Sequence, residues 1–81
     1  MKDETNDILL VRKELEDQLS KHDWYYGYSD DIRVWRKGKE QSDNITNLYK
    51  KYISLTGDKK EADRIYNTYA PDDCKILEVK P

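Results

Sequence analysis

The stretch that decides the fold is DWYYGYSDDIRVWRKGK, from Asp23 to Lys39. It separates two segments with helical periodicity and contains the start of the second. Ser29, Asp30 and Asp31 are typical of a helix start, because their side chains accept hydrogen bonds from the free amides of a first turn. Acidic residues there also meet the positive end of the helix dipole. We therefore predict that a helix begins near Ser29.

The spacing of apolar residues predicts that this helix is long. From Val34 onwards, apolar or small residues recur at alternating intervals of four and three. The row is Val34, Gly38, Gln41, Ile45, Leu48 and Tyr52. Two helices broken at Gly38 would have no reason to keep the same phase. We therefore predict one helix of roughly 25 residues that ends at Gly57 in a left-handed cap.

Gly38 needs compensation, because glycine inside a helix costs about 1 kcal/mol relative to alanine. With Ser42 it forms a notch in the apolar face, and a bulky side chain in this notch would restore packing. Four candidates lie just upstream: Trp24, Tyr25, Tyr26 and Tyr28. Consecutive residues cannot all face inward, so these rings, like Trp35, are interpreted either as core or as a binding surface.

Two further helices are predicted around the long one. Helix one runs from about Thr5 to about His22, and its apolar face is Ile8, Val11, Leu15 and Leu19. A short connection with a turn at Gly27 predicts an antiparallel hairpin with helix two. Helix three starts with a capping box at Asp58 and runs to about Ala70, where proline stops it. Its buried stripe is Ala62, Ile65, Tyr66 and Tyr69.

The composition fits a single small domain, residues 1–81. Charged residues make up 40% of the 81 residues and hydrophobic residues 36%, so a single core is only marginally sufficient. Periodic aliphatic and aromatic residues argue against disorder. The predicted fold is all-α: a helical hairpin with one long helix, a short third helix, and a C-terminal tail that is extended or forms one helical turn.

Self-association is predicted from apolar residues that lack a partner in this fold. The predicted interface consists of Leu9, Leu10, Leu55, Ile76, Leu77 and Val79. Residues 1–31 hold four basic and nine acidic side chains, whereas residues 32–64 hold nine basic and five acidic ones. A symmetric homodimer would bring these unlike regions together. The alternatives are that the leucines are simply exposed and that helix three and the tail cover helix two.

Catalytic or metal chemistry is not indicated by any pattern in the sequence. His22, Asp23, Asp30 and Asp31 lie close together but lack metal-binding spacings such as HExxH or an EF-hand loop. Cys74 and His22 are the one Cys–His pair, and nothing marks either as activated. No glycine-rich phosphate loop is present. We expect a protein that is not an enzyme and has no cofactor.

A mixture of aromatic and basic residues predicts a binding surface. Arginine and lysine beside exposed rings are typical of proteins that bind single-stranded nucleic acid, yet acidic neighbours and a pI near 5.3 oppose this. A protein partner is therefore the leading hypothesis, and a single-stranded nucleic acid or a nucleotide is the alternative. The predicted binding residues are Tyr25, Tyr26, Tyr28, Asp30, Asp31, Arg33, Arg36 and Lys37.

The pattern DWYYxYSDDxxVWxxG, from Asp23 to Gly38, resembles a motif of small uncharacterised accessory proteins of tailed phages and prophages. The resemblance covers about a fifth of the chain and brings no catalytic residue with it. It implies a phage-encoded protein that binds and disables a host protein, for example one of a defence or nucleic-acid-processing system. No membrane-crossing run or signal-peptide pattern is present, so we expect action in the host cytoplasm.

Overall fold

The computed structural model describes residues 4–76, and side chains from residue 6 onwards. Three α-helices account for most of this range, and it contains no strand. The elements are α1 (Glu4–Lys21), a 3-10 turn (Tyr26–Tyr28), α2 (Ile32–Thr56), α3 (Lys59–Tyr69) and a second 3-10 turn (Asp72–Cys74). The predicted all-α hairpin with a short third helix is confirmed.

The long helix α2 is continuous through Gly38 and has 25 residues. Its N-cap is Asp31, whose carboxylate accepts a hydrogen bond from the amide of Arg33 at 2.9 Å. Its C-cap is Gly57, with a left-handed φ of 69°. The helix begins at Ile32, three residues later than predicted, so Asp30 lies before the helix and is not a first-turn acid. In the residues that lead into α2, the Ser29 hydroxyl accepts a hydrogen bond from the amide of Asp31.

The predicted capping box of α3 is half formed. The Asp58 carboxylate accepts a hydrogen bond from the amide of Glu61 at 3.0 Å, as predicted. The Glu61 side chain does not return the bond but pairs with Arg12 of α1 and Arg64. The Asp58 amide is satisfied by Thr56 Oγ1 instead. This difference ties the start of α3 to α1.

The core lies where the three helices meet. Leu15 and Leu19 are essentially inaccessible to solvent, with 0% and 1% of their surface exposed. Replacing such a leucine with alanine typically costs about 2–5 kcal/mol. The buried cluster of the described residues is Val11, Leu15, Leu19, Ile45, Tyr52, Ala62 and Ile65. These residues confirm the predicted apolar faces of the three helices except at the start of the row on α2. Val34 is 38% exposed, because it lies two turns before Gln41, where α2 meets the end of α1 at His22.

The notch at Gly38 is filled by Tyr26, as the sequence predicts for one of the upstream rings. A Cβ atom added to Gly38 would overlap the Cβ and Cγ atoms of Tyr26. The 3-10 turn that carries Tyr26 was not predicted, and it is this turn that lays the ring across α2. The connection between α1 and α2 is therefore a packed element of the fold and not a simple loop.

Candidate functional site

The clustered aromatic residues divide into an inward and an outward set. Trp24 faces inward, with its ring centroid 4.9 Å from that of His22 and 5.3 Å from that of Tyr66 on α3. Tyr26 faces inward against Gly38. Tyr25 and Tyr28 face outward, with ring centroids 6.3 Å apart. The core interpretation therefore applies to Trp24 and Tyr26, whereas Tyr25 and Tyr28 are exposed and stay candidates for a binding surface.

The outward set continues along the first turns of α2. Ile32 is 57% exposed although it is aliphatic, and Tyr28 is 86% exposed. At 100° per residue, Trp35 and Arg36 lie about 60° and 40° to either side of Ile32 on the helix. We call the exposed side chains Tyr25, Tyr28, Ile32, Trp35 and Arg36 the corner surface.

Hydrogen bonds hold the corner surface from two directions. The Tyr25 amide donates to Asp23 Oδ1 at 3.0 Å, and the Tyr28 amide donates to the Tyr25 carbonyl at 3.0 Å. The Tyr25 hydroxyl donates to Asp73 Oδ1 in the second 3-10 turn at 3.2 Å. Partial burial and then this hydrogen bond raise the pKa of Tyr25 above its ordinary value. The backbone under the rings is therefore fixed before any partner binds.

Local acids neutralise half of the basic residues in this region. Arg33 pairs with Asp31 at 3.4 Å, and Lys39 pairs with Asp43 at 3.5 Å. Among the residues that the structure describes, Arg36 makes no ion pair, and the same holds for Lys37. Residues 23–39 contain four basic and three acidic side chains, so their net charge is only +1.

The predicted binding residues do not all lie together. Tyr25, Tyr28 and Arg36 belong to the corner surface, whereas Tyr26 is half-buried. Arg33 and Lys37 lie about 160° around α2 from Trp35. Lys37 lines a separate cleft with Lys21 and Asp23. The two predicted aspartates are exposed at the helix start. Ile32 was not among the predicted binding residues. Its exposure was predictable, because Ile32 lies outside the phase of the apolar row on the same helix.

The predicted interface residues are also divided. Leu10 and Leu55 line one groove between α1 and α2, while Leu9, one residue away, does not line it. Ile76 is held by α3, because its amide donates to Asn67 Oδ1 at 2.7 Å and its carbonyl accepts from Asn67 Nδ2 at 3.0 Å. Leu77 and Val79 lie outside the described residues. The predicted docking of the tail thus applies to Ile76.

A buried carboxylate that the sequence did not indicate links α2 to α3. Asp63 is 8% exposed and accepts hydrogen bonds from Tyr49 of α2 and from Lys59 Nζ, the latter at 2.7 Å. Burial opposes its ionisation, but the hydrogen bonds from Lys59 and Tyr49 outweigh burial and lower the pKa of Asp63. Burial and then the hydrogen bond to Asp63 raise the pKa of Tyr49. This network satisfies its own polar atoms and stabilises the fold.

Two of the residues considered for metal or nucleophilic chemistry, His22 and Cys74, lie in surroundings that the structure defines. His22 Nδ1 lies 3.1 Å from Gln41 Oε1, and Gln41 in turn donates to Gln18. Burial raises the pKa of the Cys74 thiol, which lowers its thiolate fraction. Within residues 4–76 no group of three or more His, Cys, Asp or Glu residues is placed to hold a metal ion.

None of the helices in the described part of the chain is both long and apolar enough to cross a membrane. Comparison with protein-family models, curated proteins and solved structures finds no match for this chain.

Proposed function

We propose that this chain is a non-enzymatic protein-binding module and that the corner surface is its contact site. The observation that carries the proposal is the exposure of Tyr28 at 86% and Ile32 at 57% on a backbone that the rest of the fold holds in place. Tyrosine, tryptophan and arginine are the residues most enriched at energetic centres of interfaces. A fixed backbone lowers the ordering cost of binding.

The chemistry of the corner surface defines the partner it fits. Arg36 makes no ion pair within the described residues and lies beside two apolar side chains, Ile32 and Trp35. A partner that offers a carboxylate next to an apolar pocket would pair with the guanidinium and cover both side chains. We therefore expect a protein surface that combines acidic and apolar residues.

The setting of this binding follows from the motif between Asp23 and Gly38. Its resemblance to phage and prophage accessory proteins supports a phage-encoded antagonist of a host protein that acts in the cytoplasm of the host bacterium. Such an antagonist needs a contact surface and no catalytic group. The corner surface lies inside the motif, and Tyr25, Tyr28 and Trp35 occupy positions that the motif defines.

Site-specific photo-crosslinking tests the proposal. A photoreactive residue at position 28 is compared with one at position 50, where Lys50 is exposed on the polar face of α2. In a host lysate we expect one host protein to be captured from position 28 and not from position 50. With that protein purified, Tyr28→Ala and Ile32→Ala are each expected to weaken binding by about tenfold or more. Leu9→Ala, at an aliphatic residue as exposed as Ile32, is the matched control.

The outcomes separate cleanly. Identical adducts from both positions would mean non-specific contact and would contradict a site at the corner surface. An unchanged affinity in the Ile32 and Tyr28 variants would do the same even if a partner is found. Equal losses in the Leu9 control would point to a different surface.

Binding of single-stranded nucleic acid is the second candidate. The neighbouring rings of Tyr25 and Tyr28, with Arg36 on the same surface, favour it because bases stack on exposed rings. The net charge of +1 over residues 23–39 opposes it, since phosphate contacts need several free cations. Fluorescence anisotropy with a labelled oligonucleotide at low salt decides the matter. Affinity that falls steeply with salt and is lost in Trp35→Ala and Arg36→Ala would support it.

A further inference from the structure

A second surface lies on the face of the α1–α2 hairpin that α3 leaves open. On α1, Arg12 reaches Glu61 of α3, and Leu10 lies about 160° around the helix from Arg12. On α2, Tyr49 bonds to α3, and Lys51 lies about 160° from Tyr49. Leu10 and Lys51 therefore face away from α3 on the same side of the hairpin.

This open face carries a groove along the seam between the two helices. We call it the hairpin groove, and its lining residues are Asp7, Leu10, Val11, Glu14, Lys51 and Leu55. Leu10 is 60% exposed and Leu55 is 37% exposed. Farther along the seam, a second depression shares Glu14; its α1 side is acidic through Glu14 and Asp17, and its α2 side is neutral and contributes Leu48. Apolar side chains thus follow the seam beside an acidic α1 wall.

The two walls of the hairpin groove carry opposite charges. The α1 wall is acidic through Asp7 and Glu14, and the α2 wall is basic through Lys51. A surface with one acidic and one basic side is complementary to a copy of itself after rotation by 180°. We propose that the hairpin groove joins two copies of this chain in a symmetric homodimer.

Charge complementarity also selects the direction of the two-fold axis. A two-fold axis parallel to the helices keeps each residue at the same height along the helix axis and exchanges the two sides of the face. As a result, α1 of one copy packs on α2 of the other. Glu14 then meets Lys51 of the second copy, and Leu10 meets its Leu55. An axis across the helices in the plane of the face would instead put α1 on α1 and acid on acid. The preferred arrangement is an antiparallel four-helix bundle, a common way to complete a small core.

The chain provides a closely matched pair of variants for the test. Leu10 and Leu9 are adjacent and equally exposed, at 60% and 58%, but only Leu10 lines the groove. Sedimentation equilibrium at micromolar concentration should give the wild type and Leu9→Asp a mass of twice 9.7 kDa. Leu10→Asp places an unpaired carboxylate in the seam and is expected to weaken the dimer at least about tenfold. Far-ultraviolet circular dichroism should be the same for both variants.

Charge reversal tests the axis. Glu14→Lys and Lys51→Glu should each weaken the dimer, and the double variant should recover the wild-type dissociation constant, because each altered side chain again meets its opposite. A monomeric wild type would overturn the proposal. So would a Leu10→Asp variant that still forms the dimer, or a double variant that does not recover. None of these outcomes depends on the corner surface, so they leave the proposed partner binding untouched.

Discussion

The fit between Gly38 and Tyr26 makes a prediction that runs against helix propensity. Gly38→Ala replaces the poorest ordinary helix former with the best, in the middle of a 25-residue helix. Propensity alone would stabilise the protein by about 1 kcal/mol. However, the new methyl group would occupy the space of the Cβ and Cγ atoms of Tyr26. The Tyr26 Cβ atom is bonded directly to the backbone, so no change of rotamer can move it away.

The steric term is expected to exceed the gain in propensity. Overpacking a well-filled site typically costs about 1–3 kcal/mol and sometimes more. Here the whole 3-10 turn must shift, which also disturbs the contacts of Tyr26 with Trp35 and His22. Because the overlap includes the Tyr26 Cβ atom itself, we expect a cost of about 2–3 kcal/mol, in the upper part of this range, and a net loss of about 1–2 kcal/mol after the propensity gain of about 1 kcal/mol is subtracted. A protein of this length is typically stable by only about 4–12 kcal/mol.

Urea unfolding followed by far-ultraviolet circular dichroism measures this loss, at one fixed protein concentration. Gly27→Ala is the matched control, because Gly27 has nothing within 4 Å of an added Cβ; it should lie within about 0.5 kcal/mol of the wild type. Tyr26→Gly provides the decisive background. Without the Tyr26 side chain, Gly38→Ala should become stabilising by about 1 kcal/mol.

The change in the free energy of unfolding caused by Gly38→Ala, measured with and without the Tyr26 side chain, tests the fit between the two residues. If Gly38→Ala were neutral or stabilising in the wild type, Tyr26 would not occupy the notch as described. If Gly38→Ala were equally destabilising with and without the Tyr26 side chain, the loss would come from another contact.

Three further perturbations follow from single contacts. Gly57→Ala should cost about 1–2 kcal/mol in thermal or urea unfolding, because φ is 69° there. Asp63→Asn should cost about 1–3 kcal/mol at pH 7. The pKa of Asp63 is lowered in the folded state. The stability that ionised Asp63 contributes is therefore fully present above its unfolded-state pKa of about 3.9 and is lost as the pH falls through its folded-state pKa. The free energy of unfolding of the Asn variant should fall less over this pH range. Asn67→Ala should speed hydrogen exchange at the Ile76 amide while leaving global stability nearly unchanged, since the affected contacts lie at the edge of the fold.

Most of the fold could be predicted because it follows from the period of one face. The row from Val34 to Tyr52 keeps its phase through Gly38, and this predicted that α2 is one continuous helix. The stop signals at Gly57 and before Pro71 are local in sequence, so they too were visible. The sequence predicted that a bulky side chain fills the notch at Gly38, but it did not predict which of the four upstream rings does so.

The features that the sequence did not predict depend on contacts between residues that are far apart in the chain. Trp24, Tyr25, Tyr26 and Tyr28 are chemically alike, so only the path of the 3-10 turn decides which face outward. Asp63 is buried by Tyr49, 14 residues earlier on another helix, and no local pattern indicates that pairing. The division of predicted binding and interface residues between separate surfaces has the same cause.

The two tryptophans lie in different surroundings, and this gives the protein two built-in optical reporters. Trp24 is half-buried between His22 and Tyr66, so its emission depends on whether α3 stays docked on the turn. Trp35 is 37% exposed on the corner surface, so its emission responds to whatever covers that surface. Replacing either indole with phenylalanine would leave a single reporter. Local release of α3 and occupation of the corner surface could then be followed separately, by emission wavelength, in the same unlabelled chain.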